Sequence, residues 1–144
     1  MQQKRDSETF KKSQADDLTN MQTGIFGYKG RVHFQTGPCI NEELEALRGL
    51  PKTEVFTQVS ALIDKYIHRN YRLYPGNYVA CDLLNGTETF AGKYTPEEKK
   101  RFEAYLQKKL DLIQLPNKDE DFLRQRILTM YANPAINHLK AIAQ

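Results

Sequence analysis

The chain has 144 residues, a net charge of +3, 27% charged and 40% hydrophobic side chains, no Trp, eight Tyr and seven Phe. That length suits one domain able to bury roughly 68–70% of its unfolded surface. A charge of +3 is too small to argue for nucleic acid, no apolar run approaches the ~20 residues that span a bilayer, and Met1–Asp17 lacks the apolar centre of a secretory signal.

The whole chain, 1–144, reads as a single domain. Residues 1–27 form an N-terminal helix and a Gly-rich turn, 28–40 a strand region and 41–144 a helical region. The first helix is expected from Ser7, which can cap it, to Met21, with Phe10, Leu18 and Met21 on a rough stripe. Gly24, Gly27 and Gly30 then punctuate the chain. From Gly30 to Gly37 the side chains alternate: Val32 and Phe34 against Arg31, His33 and Gln35. Period two predicts a strand with one buried face. A lone strand cannot satisfy its own backbone, so a partner strand is required.

After Gly37-Pro38 the pattern turns helical. Asn41 is placed to cap a short helix carrying Leu44 and Leu47. Lys52 to Asn70 is the clearest amphipathic helix, with Val55, Val59, Leu62, Ile63, Tyr66 and Ile67 at spacings of three and four. Asn77 is a candidate cap for a helix through Leu84 that Asn85-Gly86 closes. With Thr87 these also match a glycosylation acceptor, read here as a turn. Thr95-Pro96-Glu97-Glu98 is a capping box with Pro at the first helical position. It opens a helix presenting Phe102, Tyr105, Leu106, Leu110 and Ile113 on one face, which runs to Pro116. A further helix opens at Asn117 or Lys118, with Phe122, Leu123, Ile127 and Met130 as its core face, and Asn133-Pro134 is expected to break it before a last short helix. The fold class is therefore α+β, mainly helical with one or two strands.

Chemistry is sparse. His33, His68 and His138 belong to no HExxH or nucleophile-elbow pattern, and no Gly-rich phosphate loop is present. Cys39 and Cys81 form no CxxC. A disulfide and two free thiols both remain open, with buried free thiols favoured in a reducing cytoplasm. No catalytic residue, metal ligand or cofactor is assigned. The densest polar-aromatic run is Tyr66 to Tyr78. Its Tyr and Arg side chains suit either the wall of a core or a lipid head-group contact. Arg69, Tyr71, Arg72 and Tyr74 are the candidates for that contact.

The segment Lys29-Gly30-Arg31-Val32-His33-Phe34-Gln35-Thr36-Gly37-Pro38-Cys39-Ile40 resembles the late strand of glycerolipid acyltransferases of the lysophosphatidic acid type, with the acidic helix at Asn41-Glu42-Glu43-Leu44 after it. The stretch from Tyr71 to Tyr78 and on to Met130-Tyr131-Ala132-Asn133-Pro134 is similar to the helical tail of such acyltransferases in Bacteroidetes-like bacteria. The resemblance covers nearly the whole chain but only the end of the family's chain. It implies a piece of a larger α/β acyltransferase fold in phospholipid biosynthesis. The parent protein's partners would be acyl-CoA or acyl-carrier protein and a lysophospholipid, with peripheral contact at the cytoplasmic face of the inner membrane. The family's HxxxxD dyad is missing: the fifth residue after His33 is Pro38, after His68 Leu73, and after His138 Ala143. This chain is thus expected not to be catalytic alone. The rival expectation is a small helical protein-interaction module without enzymatic activity.

Overall fold

The computed structural model describes residues 1–143. Seven α-helices occur in the order α1 (Gln2–Asp6), α2 (Gln14–Phe26), α3 (Asn41–Ala46), α4 (Lys52–Arg69), α5 (Pro75–Asn85), α6 (Pro96–Asp111) and α7 (Glu120–Ile142), with a 3-10 turn at Ala91–Lys93 before α6. The short α5 is the hub. It packs on α7, on α6 and on the 3-10 turn, while α4 and α6 each pack on α7.

The core follows from side-chain size. Val79 and Ala80 of α5 and Ala132 and Ala135 of α7 have no exposed surface, and Leu106 and Leu110 of α6 close the same layer. Small residues on α7 let the two backbones approach until α5 side chains reach α7 carbonyls. Asn77 Nδ2 donates to the Tyr131 carbonyl at 2.9 Å, and Cys81 Sγ donates to the Ala132 carbonyl at 3.6 Å. Each fully buried Leu contributes roughly 1.5–3 kcal/mol relative to an exposed one.

These two bonds bear on Pro134, which does not break the helix as its sequence context predicts: α7 runs through it to Ile142. Proline removes the N–H that the Met130 carbonyl would accept and crowds the turn before it. The next two carbonyls of that turn, those of Tyr131 and Ala132, take their donors from α5. Tertiary donors thus carry the helix past its local breaker.

Helix starts obey capping chemistry with shifts in position. The Thr95–Glu98 box opens α6 as expected, and Gly86 closes α5 in the left-handed region at φ 64°. Asp119, not Asn117 or Lys118, caps α7 by accepting the Phe122 N–H. At α5 the cap position is Tyr74, and Asn77 accepts the Tyr74 N–H from within the first turn. Asn41 lies inside α3 rather than capping it. α2 begins after Ser13, not Ser7, because Ser13 and Asp16 form a reciprocal box. Of the face expected on α7, Leu123 is buried but Met130 is 57% exposed, and Leu128 takes the inner position.

The expected strand is absent. Residues 28–40 contain no strand among the described residues, and no other strand is present to pair with them. Val32 and Phe34, the intended inner face, are 61% and 90% exposed. Alternation fixes which way side chains point; without a partner ladder the backbone bonds to water instead. Among the described residues the fold is therefore mainly helical, without strands.

The chain start is held by a latch. The Gln2 carboxamide is buried against the α6–α7 corner, where it donates to the Asn117 carbonyl at 2.9 Å and accepts the Asp119 N–H at 3.0 Å. Arg5 pairs with Asp119 at 2.7 Å and lies 4.2 Å from the Phe122 ring centroid.

Candidate functional site

A cleft of about 670 Å³ lies where the extended segment passes the end of α4. One wall is the segment itself, from His33 to Ile40. The other is the α4 face carrying Ile63, Tyr66 and Ile67, continued by the loop Asn70–Tyr74. Pro134 of α7 forms part of the lining. Ile63 and Ile67 belong to the apolar stripe of α4, but the main packing partner of α4 is α7, and they remain 43% and 48% exposed.

Four contacts set the geometry. The Tyr66 hydroxyl donates to Glu43 at 2.8 Å, fastening α3 to α4. That bond lowers the Glu43 carboxyl and raises the Tyr66 phenol relative to their ordinary values. At the end of α4, His138 Nδ1 is 2.8 Å from the His68 carbonyl, where it donates, and the His68 ring lies 5.5 Å from that of Tyr71. His138 is thus a half-buried bracket between α7 and α4, not a free surface residue. The Arg31 guanidinium stands 5.5 Å from the Tyr74 ring centroid and draws the extended segment over the loop.

Of the head-group candidates, Tyr71, Arg72 and Tyr74 line this cleft, and Arg69 is not part of its lining. Sequence reasoning missed the opposite wall. His33, Gln35 and Pro38 meet Tyr71 and Arg72 only through tertiary folding, and no local signal announces that.

A second cleft of about 650 Å³ shares Tyr74 and Asn77 with the first and opens toward α6. Lys29, Lys108 and Lys109 stand around Tyr28, Tyr105 and Tyr131. The Tyr105 and Tyr131 hydroxyls are 2.7 Å apart, with their rings edge-to-face at 86°. Burial first, and then the bond to Tyr105, raise the Tyr131 phenol well above its ordinary 10.0.

Neither cleft pairs a nucleophile with a base. Cys81 is buried against α7, and burial, reinforced by Asp82, pushes its thiol up, away from the reactive thiolate. Cys39 is an exposed free thiol, contrary to its expected burial. Among the described residues no three His, Cys, Asp or Glu side chains are grouped to hold a metal ion. Among the described residues no helix is long and apolar enough to cross a membrane. What the arrangement offers is binding: apolar walls, hydroxyl groups and isolated cations.

No family model, curated protein or solved structure matches the chain.

Proposed function

We propose that the chain is the carboxy-terminal, non-catalytic part of a glycerolipid acyltransferase-like protein, working at the cytoplasmic face of a membrane. The observation that carries this reading is the segment 28–40. It keeps the side-chain alternation of a strand, yet its inner-face residues Val32 and Phe34 are largely exposed and no strand occurs among the described residues to pair with it. A sheet supplied by a catalytic domain would accept its backbone and cover both side chains. The resemblance of Lys29–Ile40 to the family's late strand gives that sheet an identity. Acyl-CoA or acyl-carrier protein and a lysophospholipid would then be partners of the parent enzyme.

Acyl transfer to lysophosphatidic acid, measured for this chain and for the chain extended upstream in its own reading frame, tests the proposal. Activity in the extended protein alone is the expected result. Activity in neither removes the family's chemistry.

A second reading, a helical interaction module, draws on α2. Leu18, Met21, Ile25 and Phe26 are 56–83% exposed, and α2 makes no substantial packing contact with another helix. Such a face suits a protein partner. Inactivity in both proteins would favour this reading.

A further inference from the structure

The first cleft has a chemical signature of its own, independent of any catalytic domain. Its lining is mainly apolar, with Pro38, Ile40, Ile63, Ile67 and Pro134. The neutral polar side chains of Gln35, Asn70 and Asn77, and His33, share it. Tyr66, Tyr71 and Tyr74 add ring surface with hydroxyl groups at its edges. The side chain of Arg72 belongs to the lining, and Arg31 stands over Tyr74 at the rim. No carboxylate is part of the lining among the described residues; Glu43 stands behind it, holding the Tyr66 hydroxyl, and forms no ion pair with Arg72 or Arg31. A cation beside an apolar trough, with no acid to neutralise it, is complementary to one negative charge on an aliphatic body. A nucleotide would bring several charges against a single lining guanidinium, which makes it a poorer match.

We infer that this cleft is a binding site for one single-chain anionic amphiphile, a long-chain fatty acid. The hydrocarbon lies between the Pro38–Ile40 wall and the Ile63–Ile67 face, and the carboxylate meets Arg72. A volume of about 670 Å³ falls within the range of small-molecule sites. Both isoleucines are about half exposed, so a bound chain covers apolar surface.

Oleate below its micellar concentration, titrated into the full chain, tests this by calorimetry together with NMR shifts of the Ile methyl groups and the Arg Nε–H groups. One molecule is expected to bind, shifting Ile63, Ile67 and Arg72. Ile67→Glu should abolish binding, because a carboxylate in the trough repels the ligand's own. Arg72→Gln, and oleyl alcohol in place of oleate, should each weaken it by about tenfold or more, the worth of a hydrogen bond to a charged group. Lys109→Gln in the second cleft should change nothing. Absence of binding, binding that Arg72→Gln leaves intact, or binding that Lys109→Gln abolishes would overturn the inference. Arg72 is exposed, so its variant decides the matter even if Ile67→Glu fails to fold. None of these outcomes depends on acyl transfer, so a failed transferase assay and a failed binding assay are separate results.

Discussion

The hydroxyl of Tyr94 donates to Oδ2 of Asp82 at 2.8 Å, bolting the residue before the Thr95 cap of α6 to a carboxylate buried on α5. Asp82 also accepts the Phe90 N–H and the Thr87 hydroxyl, so the whole α5–α6 connection converges on one side chain. Asp82→Ala should leave these donors unsatisfied and destabilise the fold by about 3 kcal/mol, against about 1 kcal/mol for Tyr94→Phe. Thermal denaturation of the two single variants and the double variant measures their coupling, expected to be positive. Strict additivity would show that the contact carries no energy.

The same pair predicts a response to alkali. Burial, followed by the bond to Asp82, pushes the Tyr94 phenol from 10.0 up to about 12. A pKa raised on folding means that the native state holds its proton more tightly than the unfolded chain. This contribution is therefore complete below pH 10.0 and is lost as pH climbs toward about 12. Denaturant midpoints measured across that window should fall more steeply for the wild-type chain than for Tyr94→Phe.

Asn77 works in two directions, accepting the Tyr74 N–H and donating to the Tyr131 carbonyl beside Pro134. Asn77→Ala removes a helix cap and a buried donor together, and should cost about 2 kcal/mol in chemical denaturation. Pro134→Ala restores the missing N–H and should leave helix content by circular dichroism undiminished. A loss of helix in that variant would contradict the account of how α7 passes its proline.

Val32→Ser and Phe34→Ser touch side chains already in water. Both should shift the stability of this chain by no more than about 0.5 kcal/mol. In the upstream-extended protein the same changes should destabilise clearly, since a sheet would then cover these residues. Equal, negligible effects in both proteins would count against the pairing of segment 28–40.

Acid should act through carboxyls whose native values are depressed. Asp119 is held below its ordinary 3.8 first by the Phe122 N–H and then by Arg5, and Asp16 by the Ser13 N–H. A depressed value contributes stability above the unfolded pKa, lost as pH falls through 3.8 and below. Asp119→Asn should flatten that acid limb in a pH series of thermal melts.

Where local chemistry and packing agreed, the sequence was readable. The Thr95–Glu98 box of α6 sits where capping places it, and α4 takes the bounds that its apolar period predicts, although none of its stripe is fully buried. The failures share one cause, a competing interaction that no local pattern encodes. Ser13 outcompeted Ser7 because Asp16 completes its box. Pro134 lost its breaking power to donors from a helix some fifty residues away. The strand pattern at Val32 and Phe34 is real as alternation, but pairing needs a second strand. Tyr71, Arg72 and Tyr74 were legible as a cluster, whereas the wall from His33 to Ile40 that turns them into a cleft was not.

The buried carboxamide of Gln2 changes what kind of object the stretch from Ser7 to Cys39 is. With its beginning fastened to the α6–α7 corner and its end running along the trough beside Tyr71, this stretch is a harness buckled at both ends, not a dangling arm. Adding residues to it should be cheap, because doubling such a loop costs only about 0.6 kcal/mol. Undoing the buckle is different. Gln2→Ala, or a cut between Ser7 and Ser13, would turn the harness into a free end and release the wall that stands opposite Arg72.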